Sequence, residues 1–301
     1  MIPPEPPSGA HAPPVEYAVD KRRARKAAER AVLTYDDHAV VATEVGRRLL
    51  DHLDLIRIDP ARILDVGCAT GSTTTALAAR YPRATVLAVD HALPMLRAHP
   101  TPRRLSFRPR RRIPVCADLE ALPFADAGFD LVVSNATLHW SSRPDRSLHE
   151  LTRVLAPGGL LMLSAYGPDT LGELRRAWAA VDAGVHVHVF TDMHDLGDAM
   201  VRARLADVVV ESDRITVEYR DLDGLVRDLR GQGATNAATG RGRGLKGARA
   251  RNRLVAAYDR LRSTAGALPA TYEIVYAHAW RPRAAAEATP PRGSHDVQLR
   301  R

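Results

Sequence analysis

Several residue types are scarce in this 301-residue sequence, and each shortage excludes a class of protein. Only two cysteines occur, Cys68 and Cys116, which is too few for a disulfide framework and lacks the spacing of a metal site. Aromatic residues make up 5%, which argues against a stacking surface for single-stranded nucleic acid. No apolar run approaches the ~20 residues that span a bilayer, and no signal sequence opens the chain. We therefore expect a cytoplasmic protein that binds neither membrane nor nucleic acid.

Positive charge, by contrast, is in excess. The formal net charge is +8, and basic residues cluster at Lys21–Lys26, Arg103–Arg112 and Arg241–Arg253. Such clusters suit an acidic partner or substrate, although a basic genome and a need for solubility produce the same composition. We favour the last of these clusters, Arg241–Arg253, as a docking surface and assign no role to Arg103–Arg112.

The chain divides into one domain with two tails. Residues 1–20 carry six prolines and few apolar residues, and residues 284–301 are similarly polar, so we expect both tails to be disordered. Helical periodicity over residues 21–53 predicts an N-terminal helical cap for the domain, which we place at residues 21–283. Residues 220–265 contain two helical patterns around a segment rich in glycine and arginine, which indicates an inserted helical substrate region.

Between the cap and the insertion, short apolar segments alternate with helical ones. This order predicts an α/β fold of the Rossmann type, with a seven-stranded, mostly parallel sheet and helices on both faces. In such a sheet the loops at the carboxyl ends of the strands share one edge, where ligands bind. The strands are expected at Arg62–Val66, Thr85–Val89, Ile113–Ala117, Phe129–Ser134, Gly159–Ser164, Val208–Tyr219 and Tyr272–Trp280.

The first strand leads into a glycine-rich turn, Asp65-x-Gly67-x-Ala69-x-Gly71, followed by a helix. Asp90 ends the second strand, where an acid can accept hydrogen bonds from both ribose hydroxyls of a nucleoside. Asp118 ends the third, where an acid can bind the adenine amino group. The turn differs from the dinucleotide pattern Gly-x-Gly-x-x-Gly, so these features favour S-adenosylmethionine over NAD.

These pieces, in this order and at these spacings, resemble the class I S-adenosylmethionine-dependent methyltransferases. The resemblance assigns cofactor binding to seven residues and implies no metal. Ala69 stands where the family most often has glycine, and an alanine fits there without strain if its φ is negative. The seven residues are Asp65, Gly67, Gly71, Asp90, Asp118, Leu119 and Asn135.

Segments outside the sheet resemble a narrower family, the malonyl-acyl-carrier-protein O-methyltransferases of biotin synthesis. This resemblance implies methyl transfer from S-adenosylmethionine to the free carboxylate of malonyl-acyl-carrier protein or malonyl-CoA. The product would be the methyl ester that primes pimeloyl synthesis. The segments are Lys26–Ala31, Tyr35–Ala39, Gly167–Leu174, Phe190–Asp198 and Leu268–Glu273.

Three residues are candidates for contact with the acceptor. Tyr35 in the cap either contacts the methionine moiety or the acceptor, or is a core aromatic. His139, after the fourth strand, either orients the acceptor or is a structural histidine. A buried carboxylate calls for a cation, ideally a bidentate arginine, and Arg241 is the candidate; its alternative is a solvated surface arginine.

Other functions share these sequence features. Histidines and aspartates over residues 186–195 suggest a metal site, but transfer from a sulfonium needs no metal, so we expect none. A methyltransferase for another small carboxylic acid would act without a carrier protein. A group of respiratory-complex assembly factors shares this scaffold and modifies a protein instead. A cofactor-binding protein without activity is the third alternative.

Overall fold

The computed structural model describes residues 18–99, 112–242, 244 and 246–283. The tail expected at residues 284–301, nearly all of the tail expected at residues 1–20, and residues 103–111 of the basic segment lie outside the described residues. Val19, which the sequence assigns to the first tail, is 7% exposed and forms an antiparallel bridge with Ala238. The fold therefore includes residues before the predicted cap. No helix in the described ranges is long and apolar enough to cross a membrane.

Seven strands form one sheet, which confirms the predicted architecture. Their order is β3-β2-β1-β4-β5-β7-β6; the first five are parallel, and β7 is antiparallel to both β5 and β6. The central strands consist mainly of buried Ile, Leu and Val, as expected for a parallel sheet covered on both faces. The strands are β1 (Arg62–Val66), β2 (Thr85–Asp90), β3 (Arg112–Cys116), β4 (Phe129–Ser134), β5 (Leu155–Tyr166), β6 (Ala206–Tyr219) and β7 (Leu268–Trp280).

Helices cover both faces of the sheet. Ile63 and Leu64 are both fully buried but belong to separate clusters, because successive residues of a strand point to opposite faces. Helices α3, α4, α7, α9 and α10 pack on the Ile63 face, and α6 and α8 on the Leu64 face. The helices are α1 (Lys21–Ala31), α2 (Tyr35–His38), α3 (Val40–Asp51), α4 (Ser72–Arg80), α5 (Leu93–Arg97), α6 (Pro144–Val154), α7 (Gly172–Ala179), α8 (Met193–Arg202), α9 (Leu222–Gly231) and α10 (Ala248–Asp259).

The fifth strand is longer than the sequence predicts. It extends to Tyr166 because the antiparallel partner β7 continues the hydrogen-bond ladder, with Leu160 opposite Trp280 and Tyr166 opposite Ile274. The apolar pattern that locates a strand ends at Ala165, so the pattern alone does not reveal this extension. It carries an aromatic side chain to the carboxyl edge of the sheet.

The helical segments before and after the sheet occupy different positions. Helix α3 belongs to the core, since Val45 and Leu49 are fully buried against the sheet. The two preceding helices, α1 and α2, instead extend over the carboxyl edge of the sheet, and we call them the cap. Helices α9 and α10 lie between β6 and β7, as the expected insertion.

Candidate functional site

Two connected hollows lie at the carboxyl edge of the sheet, beneath the cap. The inner cavity has a volume of about 150 Å³ and is lined by the cap, by the ends of β2 and β5, and by loops after β1, β4 and α9. The outer cleft, of about 620 Å³, lies along α1 and shares with the cavity the residues Ala24, His91, Thr137 and Trp140. Ligand sites usually measure ~300–1,000 Å³, so the inner cavity alone is too small for a nucleoside, whereas the outer cleft lies within that range.

The glycine-rich turn after β1 forms one end of this site. Gly67 and Gly71 have φ of +78° and +92°, which the predicted sharp turn requires. A Cβ on Gly67 would lie 1.9 Å from the Thr137 hydroxyl oxygen, and one on Gly71 would lie 2.8 Å from the His99 ring. Side chains of this chain therefore occupy the space that the glycines leave. Of the two, only Gly67 lines the inner cavity.

Ala69 in the same turn has a φ of +46°, so the condition of a negative φ is not met. This left-handed conformation is one that alanine adopts at a cost. The Ala69 N–H donates to Asp90 Oδ2 over 3.0 Å, and its carbonyl lies 2.9 Å from Nε2 of His99. These two contacts hold the strained residue in place.

Asp65 lies behind the turn, completely buried and outside the cavity wall. Its Oδ2 accepts a 2.5 Å hydrogen bond from the Thr74 hydroxyl, whereas Oδ1 is buried without a partner. Burial, together with the charge of Asp90, raises the pKa of Asp65 to about 7. An unpaired buried acceptor of this kind is uncommon, and it lies behind the turn rather than in the cavity wall.

Asp90 and Asp118 are the two acids predicted at strand ends. Asp90 lines the inner cavity, and its carboxylate accepts the N–H groups of Ala69 and Ala92. Asp118 and the adjacent Leu119 line the outer cleft. The two acids thus line the two adjoining hollows, one acid in each.

Lys21, the first residue of α1, is paired with Asp118. Its Nζ lies 2.8 Å and 2.9 Å from the two carboxylate oxygens, and 2.7 Å from Oε2 of Glu120. Partial burial opposes ionisation of Asp118, but Lys21 and the Glu120 N–H outweigh it and lower the pKa of Asp118 below its ordinary value. The pair holds the start of the cap over the outer cleft.

Asn135 lines the inner cavity, although protein partners occupy both ends of its amide. Nδ2 donates to the Ala42 carbonyl over 2.9 Å, and Oδ1 accepts from the Ser164 hydroxyl over 2.7 Å. The residue therefore connects the end of β4 to α3 and β5 through hydrogen bonds. The sequence identifies Asn135 by its place in a motif, and these hydrogen bonds are not visible in that pattern.

The inner cavity has an aromatic wall around His139. The His139 ring centroid lies 4.7 Å, 5.1 Å and 5.9 Å from those of Trp140, Tyr166 and Phe190. Burial and the neighbouring His188 lower the pKa of His139 to about 3, and its Nδ1 is buried without a partner. The ring is therefore neutral at physiological pH and offers a hydrogen bond but no charge.

Tyr35 and Tyr166 also line this wall. Burial raises the pKa of both phenols above the ordinary value, and their mutual proximity adds to the shift at Tyr35. Both phenols therefore remain protonated donors. The sequence identifies Tyr35 but misses Tyr166, because the predicted strand ends at Ser164, two residues before the edge where a site residue is expected.

A polar chain connects the cap to the opposite wall of the cavity. Nδ1 of His38 lies 2.8 Å from Oδ1 of Asp228 on α9. Burial and a hydrogen bond to Asp228 raise the pKa of Tyr219, which also bonds to Tyr272. Tyr272 lines the inner cavity. Helix α2 thus carries Tyr35 at one end and, through His38, is fixed to the far wall at the other.

Arg241 lies apart from the cavity wall. Its guanidinium donates to the Ala238 carbonyl over 3.0 Å and approaches Asp20 Oδ2 at 3.6 Å, with a side chain only 14% exposed. Asp20 also accepts the Arg23 N–H, which caps α1. The guanidinium is therefore neither solvated nor in contact with the cavity, and it ties the loop after α9 to the start of the cap.

The histidines that suggest a metal have other partners. His186 lies 2.7 Å from Asp182 and stacks on Trp178, while His188 Nε2 accepts the Ala237 N–H. Asp192 caps α8 through the His194 N–H. Among the described residues, no group of three or more His, Cys, Asp or Glu side chains is placed to hold a metal ion.

The buried carboxyl of Asp65 predicts a pH-dependent stability. Its folded pKa of about 7 exceeds the unfolded value of 3.8, so its ionisation has no cost below about pH 4 and its full cost above about pH 7. Relative to Asp65→Asn, the wild type should lose up to about 4 kcal/mol of unfolding free energy between pH 4 and pH 8. Urea titrations across this range measure the difference.

Asp118→Asn provides the control of opposite sign. The folded pKa of Asp118 is lowered, so its stabilising effect is present above about pH 4 and is lost as the pH falls through the folded value. The assignment of a raised pKa to Asp65 would be contradicted if the difference in unfolding free energy between the wild type and Asp65→Asn did not change with pH while the Asp118→Asn control behaved as stated.

The contact between Arg241 and Asp20 predicts energetic coupling. Arg241→Ala and Asp20→Ala should each destabilise the protein, and the double variant should lose about 0.5 kcal/mol less than the sum, because the pair is partly exposed. Urea unfolding measures all four proteins. As a control, Arg83→Ala, at an exposed arginine before β2, should combine additively with Asp20→Ala. If Arg241→Ala and Asp20→Ala were also additive, the proposed contact between Arg241 and Asp20 would be refuted.

Comparison with known proteins places the chain in a family. The family model described as "Methyltransferase domain" matches residues 64–163. The YcgJ protein from Bacillus subtilis shares the fold, with a TM-score of 0.56 and 15% identity over 78% of this chain and 98% of that one. That likeness shows the fold alone.

Closer relatives carry a specific name. A malonyl-[acyl-carrier protein] O-methyltransferase of Laribacter hongkongensis (strain HLHK9) is 50% identical over 89% of this chain and 92% of the relative. A protein of the same name from Methylovorus sp. (strain MP688) is 44% identical over 94% and 96%. These identities extend over both the sheet and the cap. The chain belongs to the malonyl-[acyl-carrier protein] O-methyltransferase family.

Proposed function

We propose that this protein transfers a methyl group from S-adenosylmethionine to the free carboxylate of a malonyl group carried by an acyl carrier protein. The 50% identity to a relative of that name, over nearly the whole chain, carries the proposal. The two strand-end acids and the aromatic wall of the inner cavity support it. The methyl ester formed would prime the pimeloyl chain of biotin. Because both cysteines are free thiols, we place the reaction in the cytoplasm.

The described residues fit the cofactor. Asp90 would accept the ribose hydroxyls, Asp118 and Leu119 would hold the adenine, and the turn at Gly67 would lie beside the methionine moiety. Asp65 supplies a buried acceptor behind that turn. When bound, the cofactor supplies a methyl group activated by a sulfonium. For adenine to meet Asp118, Lys21 must share or release that carboxylate.

The protein needs to supply little chemistry of its own. A malonyl carboxylate is ionised at neutral pH, so no general base is required. We assign the phenols of Tyr35 and Tyr166 and the neutral ring of His139 to orienting the acceptor by hydrogen bonds. The surrounding rings of Trp140 and Phe190 exclude water, which strengthens these bonds. Positioning in a dry cavity would therefore account for catalysis.

The expected arginine is not part of this cavity. None of the described residues that line it is a lysine or an arginine, and Asp90 is the acid among them. The acceptor carboxylate would thus be balanced by the positive charge of its methyl donor rather than by a fixed cation of the protein. For Arg241 to bind the acceptor carboxylate, the loop after α9 would have to rearrange.

A mass-spectrometric assay tests the proposal. The purified protein is incubated with S-adenosylmethionine and malonyl-acyl-carrier protein, malonyl-CoA or free malonate. A gain of one methyl group on the malonyl thioester is expected. Ester on free malonate alone would indicate a methyltransferase for small carboxylic acids, and cofactor binding without any ester would refute the proposal.

Removal of one phenol tests the assigned donor. Tyr35→Phe should lower kcat/KM about 10- to 100-fold, because a hydrogen bond to a charged group contributes about 1.5–3 kcal/mol. Tyr276→Phe is the matched control, since its hydroxyl is buried without a partner and lies outside the inner cavity. The control should keep full activity. Equal activity of the two variants would exclude Tyr35 from the reaction.

The low pKa of His139 predicts the pH profile. With a pKa of about 3, the ring stays neutral from pH 5 to 8, so kcat/KM should show no ionisation of this group in that range. His139→Gln should lower kcat/KM without changing the shape of the profile. A transition near pH 6.5 in the wild type that disappears in His139→Gln would show a charged histidine instead.

A further inference from the structure

Helices α1 and α9 meet above the inner cavity and close it. A Cβ added to Gly233, just after α9, would lie 3.1 Å from the carbonyl oxygen of Ala27 on α1, so the two segments are in close contact. The Thr34 hydroxyl donates to the Gly231 carbonyl over 2.8 Å. The inward faces of both helices line the cavity, through Ala28 and Leu229 among others. Whatever delivers a tethered acceptor must therefore approach these two helices.

Unpaired positive charge lies on the exposed surface of the same helices, where Arg22 and Lys26 also line the outer cleft. Arg22, Lys26 and Arg30 recur every fourth residue and so lie along one stripe of α1. Arg227 and Arg230 lie three residues apart on α9. All five are exposed, and none has an ion pair within the described part of the chain. We call these five residues the basic face.

Few acids offset the basic face. Glu29 is the single acid of α1 and is bonded to Arg25 over 3.0 Å. On α2, Asp36 accepts a hydrogen bond from the Thr70 hydroxyl, and Asp37 is exposed. Helix α1 alone has six basic residues against one acid. On α9, Asp223 is paired with Arg251 and Asp228 contacts His38, so neither acid is paired with the basic face.

An exposed apolar residue lies next to this charge. Leu33, in the turn between α1 and α2, is 91% exposed. It adjoins Thr34, whose bond to Gly231 brings the turn beside the end of α9. A single exposed leucine is ordinary. A leucine beside unpaired cations, at the place where two helices close a cavity, is typical of a protein–protein interface.

Part of the cluster that the sequence favours for docking is already paired with acids of the protein. Lys246 lies 2.6 Å from Asp182, and Arg251 lies 2.7 Å from Asp223. The Arg253 guanidinium donates to the Ala180 carbonyl over 2.6 Å. Cations that already have partners within the protein contribute little to the attraction of a separate one.

We propose that the basic face and Leu33 dock the acidic surface of the carrier protein that presents the malonyl thioester. This inference rests on the proposed function and adds the place of contact. Complementary charge would steer the encounter and raise its rate at low salt, and Leu33 would contribute a small apolar centre. The docked partner would then lie directly over the helices that close the cavity.

Charge reversal distinguishes docking from chemistry. In Arg30→Glu/Arg227→Glu/Arg230→Glu, kcat/KM for malonyl-acyl-carrier protein should fall at least about 10-fold at low ionic strength. With malonyl-pantetheine, which has the same reacting group without the protein, it should change by less than about twofold. The control Arg57→Glu/Arg83→Glu reverses two exposed arginines at the opposite edge of the sheet and should leave both substrates unaffected.

Every outcome decides the proposal. An equal loss with both substrates would show that the basic face supports the fold or the cofactor, and no loss with either would place docking elsewhere. Direct titration with the carrier protein separates this inference from the proposed function. If no ester forms but the wild type binds the carrier protein at least about 10-fold more tightly than the triple variant, docking stands; equal affinities would overturn it.

Leu33 has a matched control in Leu55, which is 87% exposed in the loop before β1, at the other edge of the sheet. Leu33→Ala should raise KM for malonyl-acyl-carrier protein about threefold or more, with unchanged activity toward malonyl-pantetheine and an unchanged melting temperature. Leu55→Ala should change neither KM nor stability. Identical behaviour of the two variants would remove Leu33 from the contact.

Discussion

The parallel pairing of β1 with β2 and β4 is the constraint on which the site depends. Parallel strands must be joined by crossovers, so the strands all end at the same edge, and the residues that follow them meet there. Asp90 and Asp118 are 28 positions apart in sequence but line adjoining hollows for this reason. Strand β1, which is buried except for Arg62, is the centre of this arrangement, because its removal would separate β2 from β4.

Much of this arrangement could be predicted from sequence. Sequence patterns located all seven strands. The central parallel strands appear as continuous runs of Ile, Leu and Val, whereas the antiparallel β6 appears as an alternation of apolar and polar residues. The acids at strand ends were equally visible, since they interrupt such runs. The extension of β5 was not, because it depends on pairing with β7, more than 100 residues later. Tyr166 was missed for the same reason.

The contacts between side chains of distant segments were the second feature that the sequence did not predict. The sequence shows that Arg241 lies in a basic loop but not that its neighbour would be Asp20, 221 positions away. It shows a left-handed turn at the glycines but not that Thr137 and His99 would fill the space beside them. The pKa values of Asp65 and His139 depend on burial, which a local pattern does not determine. Contacts that join distant segments therefore had to come from the structure.

The cap is held by two small apolar clusters and by polar contacts at several points. Lys21 is paired with Asp118 and Glu120, Thr34 with Gly231, and His38 with Asp228. Polar contacts of this kind exchange readily with water, so each contributes only modestly to stability. Opening and closing of α1 and α2 would thus be possible without disturbing the core on which α3 packs.

The cavity wall without lysine or arginine has a consequence for the release of products. On the proposed function, a carboxylate and a sulfonium enter with opposite charges, and a neutral ester and a neutral thioether leave. A fixed cation in the wall would lose its partner at that moment and retain any unreacted acid in competition with the next turnover. The neutral phenols and the neutral His139 incur no such penalty, so the attraction that assembles the reactants ends when the methyl group has moved.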